Sequence, residues 1–402
     1  MKKNTQQEQK PFDSILPDYS KRKLLTYADS MKELAGTFLQ MEQETGAELP
    51  FSEEERSDYI WRKKLMENKG LIAGHLQEMA QVMTRVAKEA GRCEHMSERR
   101  FRQIAHAFKE VDIQLKNLYL IENEKGRTEV AVSMRSLKTA TLTSQEVGDL
   151  LSVLLNLRLV STAGNLFFLS ADWQTFYYAE EAGYHVLTGV AKAIKETEQI
   201  SGDNYGFFES ENGTMTMMLS DGMGSGEKAC ADSSLVVELM EKFLEAGFQT
   251  ESAIMMINSA LVSGSENANM STLDVCSIDL FGGDCRFVKV GSTCSYIKRQ
   301  HLIDRIPAGN LPLGVFQKPD MEIAARKLQS GDYVIMFSDG ILDALSRGIG
   351  EDILAEVIGG CSLKNPGEIA KYILNFCLQQ CKGRIRDDMT VLVTGIWKKE
   401  ED

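Results

Sequence analysis

The chain has 402 residues, which at about 150 residues per domain predicts two or three domains. Hydrophobic residues make up 43% and charged residues 26%, proportions that exclude a disordered chain, a collagen or a low-complexity array. The net charge is −13, from 45 basic and 58 acidic residues, and a surface that negative repels nucleic-acid phosphate, so no nucleic-acid partner is expected.

The first twenty residues are polar, without the apolar stretch of a secretory signal, and are read as a flexible tail. Leu24, Tyr27, Met31, Leu34, Phe38 and Met41 then alternate spacings of three and four, the pattern of a helix seam. Ser52 and Glu55 form a capping box that opens a second helix running to about Ala90. In it Leu65, Ile72, Met79 and Val86 recur every seven residues. These stripes fit an antiparallel hairpin that buries its own seam, and equally a coiled coil that pairs two subunits.

From about Ser97 the pattern is mixed. Phe101–Phe108 and Thr143–Leu155 read as helices, the second opened by Thr143 with Glu146 three residues on. Val111–Ile121, Thr128–Ser133, Leu166–Leu169 and Gln174–Glu180 read as strands. No chemical motif falls in this stretch, and its boundary is expected near Ile194–Gln199. Beyond it, apolar runs at Met215–Leu219, Leu273–Phe281, Arg286–Val290, Ser295–Lys298, Tyr333–Phe337 and Thr390–Thr394 predict strands, with helices at about 226–246, 250–262 and 366–381. Adjacent strands without intervening helices favour an α+β sandwich over a doubly wound sheet. No segment reaches the about 18 apolar residues of a membrane span. The eight cysteines contain no C-x-x-C and are too sparse for a disulfide scaffold, which fits free thiols in a reducing cytoplasm.

The chemistry is carried by aspartates. Ser-Asp-Gly occurs twice after an apolar run, at Ser220-Asp221-Gly222 and Ser338-Asp339-Gly340. Asp387-Asp388 precedes the apolar run from Met389, and Asp203 follows Ser201-Gly202. Strand ends hold such side chains on a rigid frame, and glycine lets backbone approach a ligand. Several carboxylates brought together repel unless a cation sits among them. Oxygen donors without His or Cys suit Mg²⁺ or Mn²⁺. Each piece also has a plainer reading. Asp-Gly is a common turn, and Gly222-x-Gly224-x-Gly226 could open a nucleotide or methyl-donor site, although it lacks the G-x-G-x-x-G spacing.

The order Ser-Gly-Asp, Ser-Asp-Gly-Met-Gly, Ser-Asp-Gly, Asp-Asp-Met-Thr resembles the metal-dependent PP2C-type (PPM) serine/threonine phosphatases, and Ser271–Asp274, Val290–Thr293 and Asn310–Gly314 resemble a sporulation branch of that family. The resemblance implies a PP2C-like α/β-β/α sandwich over 199–402, preceded by a tail at 1–18, a helical hairpin or coiled-coil regulatory segment at 19–95 and an α+β regulatory domain at 96–198. It implies two divalent cations, Mn²⁺ or Mg²⁺, with Asp221 bridging them, the Gly222 carbonyl on one ion, Asp339 and Asp387 as ligands, Asp203 near the site, and Asp388 as a neighbour. The implied substrate is a phosphoserine on a small anti-anti-sigma protein whose dephosphorylation activates a sporulation sigma factor. A homodimer and a cytoplasmic location are further implications, while the lack of a membrane-spanning run counts against tethering and leaves peripheral or septal membrane association open. The competing expectation is a sensor or scaffold whose catalytic domain has decayed.

Overall fold

The computed structural model describes residues 24–36, 70, 72–88 and 93–399, apart from 123–125, 138–141, 163, 211–212, 225, 264–269, 310, 346–348 and 383. The expected tail, the capping box at Ser52 and the start of the second helical stripe lie outside the described residues. The chain divides into two compact units, Met1–Glu181 and Ala182–Asp402. No helix among the described residues is long and apolar enough to cross a membrane.

In the first unit, α1 covers 24–36 and α2 covers 72–88. Their buried positions are small. Ala28 and Ala35, and Ala73, Ala80 and Ala87, are fully covered at seven-residue spacing. The expected seam residues Tyr27, Leu34, Ile72, Met79 and Val86 are instead exposed. The heptad period was legible, but the buried position is one residue further along, at the alanines. A five-stranded sheet follows, in the order β1 (Cys93–His95), β2 (Ile113–Glu122), β3 (Thr128–Ser136), β5 (Gln174–Glu180), β4 (Leu159–Ser161), with every pair antiparallel. Helices α3 (Glu98–Glu110) and α4 (Ser144–Leu155) pack their apolar faces on it around Phe108, Leu118, Leu151, Phe176 and Tyr178. The expected capping box at Thr143 and Glu146 is formed in full. The strand expected at Leu166–Leu169 is absent. Leu166, Phe167 and Phe168 are exposed, and the segment makes one isolated bridge, from Phe168 to Thr143.

The second unit is a sandwich of two five-stranded antiparallel sheets. The first has the order β13 (Glu322–Lys327), β10 (Asp284–Val290), β9 (Leu273–Asp279), β8 (Thr214–Asp221), β7 (Asp203–Ser210). The second has the order β12 (Leu302–Ile306), β11 (Ser295–Arg299), β14 (Asp332–Phe337), β15 (Met389–Lys398), β6 (Tyr184–Ala193). The uninterrupted apolar runs are explained by burial on both faces. Along β14, Val334 and Met336 enter the layer between the sheets, where they meet Met217, Phe287 and Leu392. Tyr333, Ile335 and Phe337 face the opposite way, against α8 (Gly350–Gly360) and α9 (Pro366–Gln380). On the outside of the first sheet, Met218, Val275 and Val288 pack against α5 (Gly226–Glu245) and α6 (Thr250–Ser263). The result is the PP2C-like α/β-β/α arrangement. The strand β6 lies in the segment read as regulatory, yet it pairs along its whole length with β15. It is an edge strand with one face half open, so its apolar pattern is weak.

Candidate metal centre

Both sheets bring carboxylates to the same end of the sandwich. In the first sheet, Asp203 opens β7 and Asp221 closes β8, and the two are direct cross-strand partners. Like charges facing one another across a ladder are destabilising unless something positive offsets them. In the second sheet, β14 runs into Ser338 and Asp339, and β15 begins just after Asp387 and Asp388. Ser338 N–H donates to the Thr390 carbonyl at 3.0 Å, and Thr390 N–H donates to Ser338 Oγ at 2.9 Å. Asp339 does not end the strand, as expected from the sequence, but opens the short helix α7 (Asp339–Asp343).

The glycine of each Ser-Asp-Gly is required by close backbone approach rather than by a turn. A Cβ on Gly222 would stand 2.0 Å from the Ala229 carbonyl oxygen, and one on Gly340 would stand 2.1 Å from the Asp388 carbonyl oxygen. Gly222 thereby brings α5 against the end of β8, and Gly340 brings α7 against the segment that carries Asp387. The backbone of Asp221 is also tightly held. Its N–H donates to Thr272 Oγ1 at 3.0 Å, and its carbonyl accepts from Ser271 Oγ at 2.8 Å.

Electrostatics join the four aspartates. Burial, and then the charges of Asp203, Asp339 and Asp387, push the Asp221 carboxyl up to about 9. Asp203 is fully buried, and desolvation raises it to about 6 against the hydrogen bonds that favour its charged form. Asp339 is open by surface area, yet the surrounding protein mass raises it first, and the neighbouring Asp387 and Asp343 charges raise it further. Asp221 and Asp339 also act directly on each other's protonation.

Asp388 has another task. Its Oδ1 accepts from Lys195 N–H at 2.8 Å and its Oδ2 from Gly202 N–H at 2.6 Å. Both oxygens thus hold the backbone of the segment leading into Asp203, and the Asp388 charge also raises the Asp203 carboxyl, so Asp388 clamps that segment beside the cluster. The resemblance sets Asp387 apart from Asp388 as the ligand, but the clamp itself was not legible, because its partners lie almost two hundred positions earlier. A further group went unassigned from the sequence. Lys289 and Asp274 are 0% and 1% exposed and form an ion pair. Ser295 Oγ donates to Asp274 Oδ2 at 2.8 Å, and Lys289 Nζ donates to Ser295 Oγ at 2.7 Å. The trio ties β9 and β10 of one sheet to β11 of the other. Its signal was a charge set between apolar neighbours in each strand, Asp274 between Leu273 and Val275 and Lys289 between Val288 and Val290.

Among the described residues, no group of three or more His, Cys, Asp or Glu side chains already stands in an arrangement that could hold a metal ion. The carboxylates are gathered without being closed into a coordination shell. Their chemistry nevertheless fits hard divalent cations. All the donors are oxygens, Asp203 Oδ1 is buried with no hydrogen-bond partner, and mutual repulsion disfavours the charged form of Asp221. A pH dependence follows. A carboxyl raised on folding binds more protons in the native than in the unfolded state, so without metal the folded protein loses stability as pH rises from about 4 through the raised values near 6 and 9. A cation removes that penalty. The rise in melting temperature on adding Mn²⁺ is therefore expected to be small at pH 5 and to grow by several degrees toward pH 8; thermal melts with and without Mn²⁺ would show a pH-independent gain if the cluster were not the binding site.

Comparison with known proteins gives a consistent picture. The family model for stage II sporulation protein E (SpoIIE) matches residues 211–396, a range that includes Asp221, Asp339 and Asp387. The model for the SpoIIE regulatory domain matches residues 12–167. Stage II sporulation protein E of Bacillus subtilis (strain 168) is 30% identical over 336 residues, 83% of this chain and 40% of that protein. The Priestia megaterium protein of the same name is 28% identical over 336 residues, 83% of this chain and 57% of that protein. The chain thus spans about half the length of these relatives. The solved structure of the PP2C phosphatase domain and a fragment of the regulatory domain of the B. subtilis cell fate determinant SpoIIE aligns with a TM-score of 0.58 at 29% identity, covering 85% of this chain and 99% of that one.

Proposed function

Because the chain belongs to the SpoIIE family of PP2C-type phosphatases, we propose that it is a divalent-metal-dependent phosphatase that removes the phosphoryl group from a phosphoserine on a small anti-anti-sigma protein, and so activates a sporulation sigma factor. The observation that carries this reading is the meeting of Asp203, Asp221, Asp339 and Asp387 at one end of the sandwich, where the charges of the other three bear on Asp221.

Asp221, Asp339 and Asp387, with the Gly222 carbonyl, would hold two cations, Mn²⁺ or Mg²⁺. When bound, such a pair lowers the pKa of water and neutralises charge on a transferring phosphoryl group. The chain's own residues supply the frame. Thr390 Oγ1 donates to Asp203 Oδ2 at 2.6 Å and fixes that carboxylate, leaving Oδ1 to face the cluster or a water bound in it. Lys192 Nζ donates to the Asp203 carbonyl at 2.6 Å, which secures the first residue of β7. Asp388 clamps the segment from Lys195 to Gly202. The part of the expected regulatory region that lies in the first unit, residues 19–181, is proposed to regulate this site, with dimer formation through the helices whose apolar stripe at Ile72, Met79 and Val86 is exposed.

The test is phosphate release from a panel of serine-phosphorylated anti-anti-sigma proteins, with Mn²⁺ and with chelator. Release from at least one member, lost on chelation, is expected. Equal release with and without Mn²⁺, or none from any member, would contradict the proposal.

A further inference from the structure

Beside the carboxylate cluster lies a cavity of about 660 Å³, lined by Gly340, Asp343 and Asp387 on one side and by Lys382, Arg384 and Arg386 as its basic groups. All three cationic side chains are exposed. Among the described residues, no carboxylate pairs with any of them. Three unneutralised cations within five residues are unexpected in a chain of net charge −13, where most basic groups have acidic neighbours to meet.

Their placement is fixed by the fold. Lys382 adopts a left-handed conformation, φ 52°, so the chain leaves the axis of α9 instead of extending it. Ile385 packs against the helix-side core of the second sheet, and its carbonyl accepts from Glu196 N–H at 3.1 Å. Arg384 N–H donates to the Cys381 carbonyl at 3.0 Å, closing the turn after α9. With Ile385 half-buried and anchored inward, Arg384 and Arg386 on either side of it are exposed. Asp387 follows directly. The segment that delivers a carboxylate to the cluster therefore also builds a basic wall next to it.

We propose that this groove receives the polypeptide flanking the phosphoserine and selects substrates that carry Asp or Glu within a few residues of it. The proposal rests on the phosphatase reading of the adjoining cluster and adds a specificity element to it. Arginine suits the task, since its planar fork pairs with carboxylates through two hydrogen bonds. A basic wall in an otherwise acidic surface also orients an acidic partner as it approaches.

The experiment uses the full chain with Mn²⁺ and two phosphoserine peptides that differ only in Glu or Gln at the flanking positions. The wild-type protein is expected to prefer the Glu peptide by about tenfold or more in kcat/KM. The triple variant Lys382→Gln, Arg384→Gln, Arg386→Gln is expected to bring that ratio close to one. Equal rates of the wild type on both peptides, or a preference that survives in the variant, would overturn the groove and leave the phosphatase reading standing. A proportionate loss on both peptides would also overturn it, since the cations would then serve the phosphoryl group and not the flank. If the wild type hydrolyses neither peptide, the panel of phosphorylated proteins decides the phosphatase reading, and fluorescence anisotropy of the same labelled peptides decides the groove. Tighter binding of the Glu peptide that disappears in the variant supports it, and equal binding refutes it. Melting curves of the variant check that these exposed substitutions leave the fold intact.

Discussion

Asp221→Asn is expected to abolish Mn²⁺-dependent phosphate release from a serine-phosphorylated substrate, with kcat lower by at least about a thousandfold, equivalent to ~4 kcal/mol of barrier. Asp221 is the carboxylate on which the other three converge: its charged form is opposed by burial and by Asp203, Asp339 and Asp387 together. That position is where a cation gains most and where its loss removes most. The same repulsion gives the variant a second signature. An amide relieves the crowding of charge, so without metal the melting temperature is expected to be equal to or above that of the wild type. Loss of activity with an unchanged or raised melting temperature separates a chemical role from a folding role. Near-native activity would remove Asp221 from the proposed centre.

Lys289→Met is the substitution expected to damage the fold most. Lys289 and Asp274 are almost completely buried, and removing one member of such a pair leaves an unpaired charge that costs about 3–5 kcal/mol. For a unit of this size that corresponds to a fall of roughly 6–20 °C in melting temperature. Asp274 Oδ1 already lacks a hydrogen-bond partner, so the carboxylate has little else to turn to. Ser295 Oγ alone would remain on Oδ2. The double variant Lys289→Met, Asp274→Leu is expected to recover much of the loss, because two apolar groups restore packing without a stranded charge. Thermal melts of the two single variants and the double variant complete the cycle. Additive losses would show that the pair does not act as a unit.

Much of the sandwich could be read from the sequence because its central strands are buried on both faces. Runs such as Tyr333–Phe337 are apolar throughout for that reason, and they stood out. The edge strands β6, β12 and β13 did not. One side of each faces solvent, and residues such as Thr188, Asp304 and Glu322 dilute the pattern. The short helices α7 and α8 were likewise hidden, since α7 is five residues long and follows directly on a strand. In the N-terminal helices the heptad period was legible, but the eye is drawn to large side chains, and the covered positions are alanines.

At the candidate site, the repeated Ser-Asp-Gly pointed to Asp221 and Asp339 as a pair. The reason for the glycines was not legible: each lies against a backbone carbonyl from a distant segment. Nor was the clamp at Asp388 legible, since it is made by hydrogen bonds from the distant Lys195 and Gly202. The buried Lys289–Asp274 pair and the basic wall at Lys382, Arg384 and Arg386 were visible as residues, but their partners, or lack of them, belong to the folded state.

Calorimetric titration of Mn²⁺ into the full chain addresses the gathered carboxylates most directly. Saturable uptake of two ions per chain is expected at pH 8, weakening toward pH 5 and disappearing in Asp339→Ala. No uptake by the wild-type chain, or undiminished uptake by Asp339→Ala, would mean that these side chains do not form a metal centre.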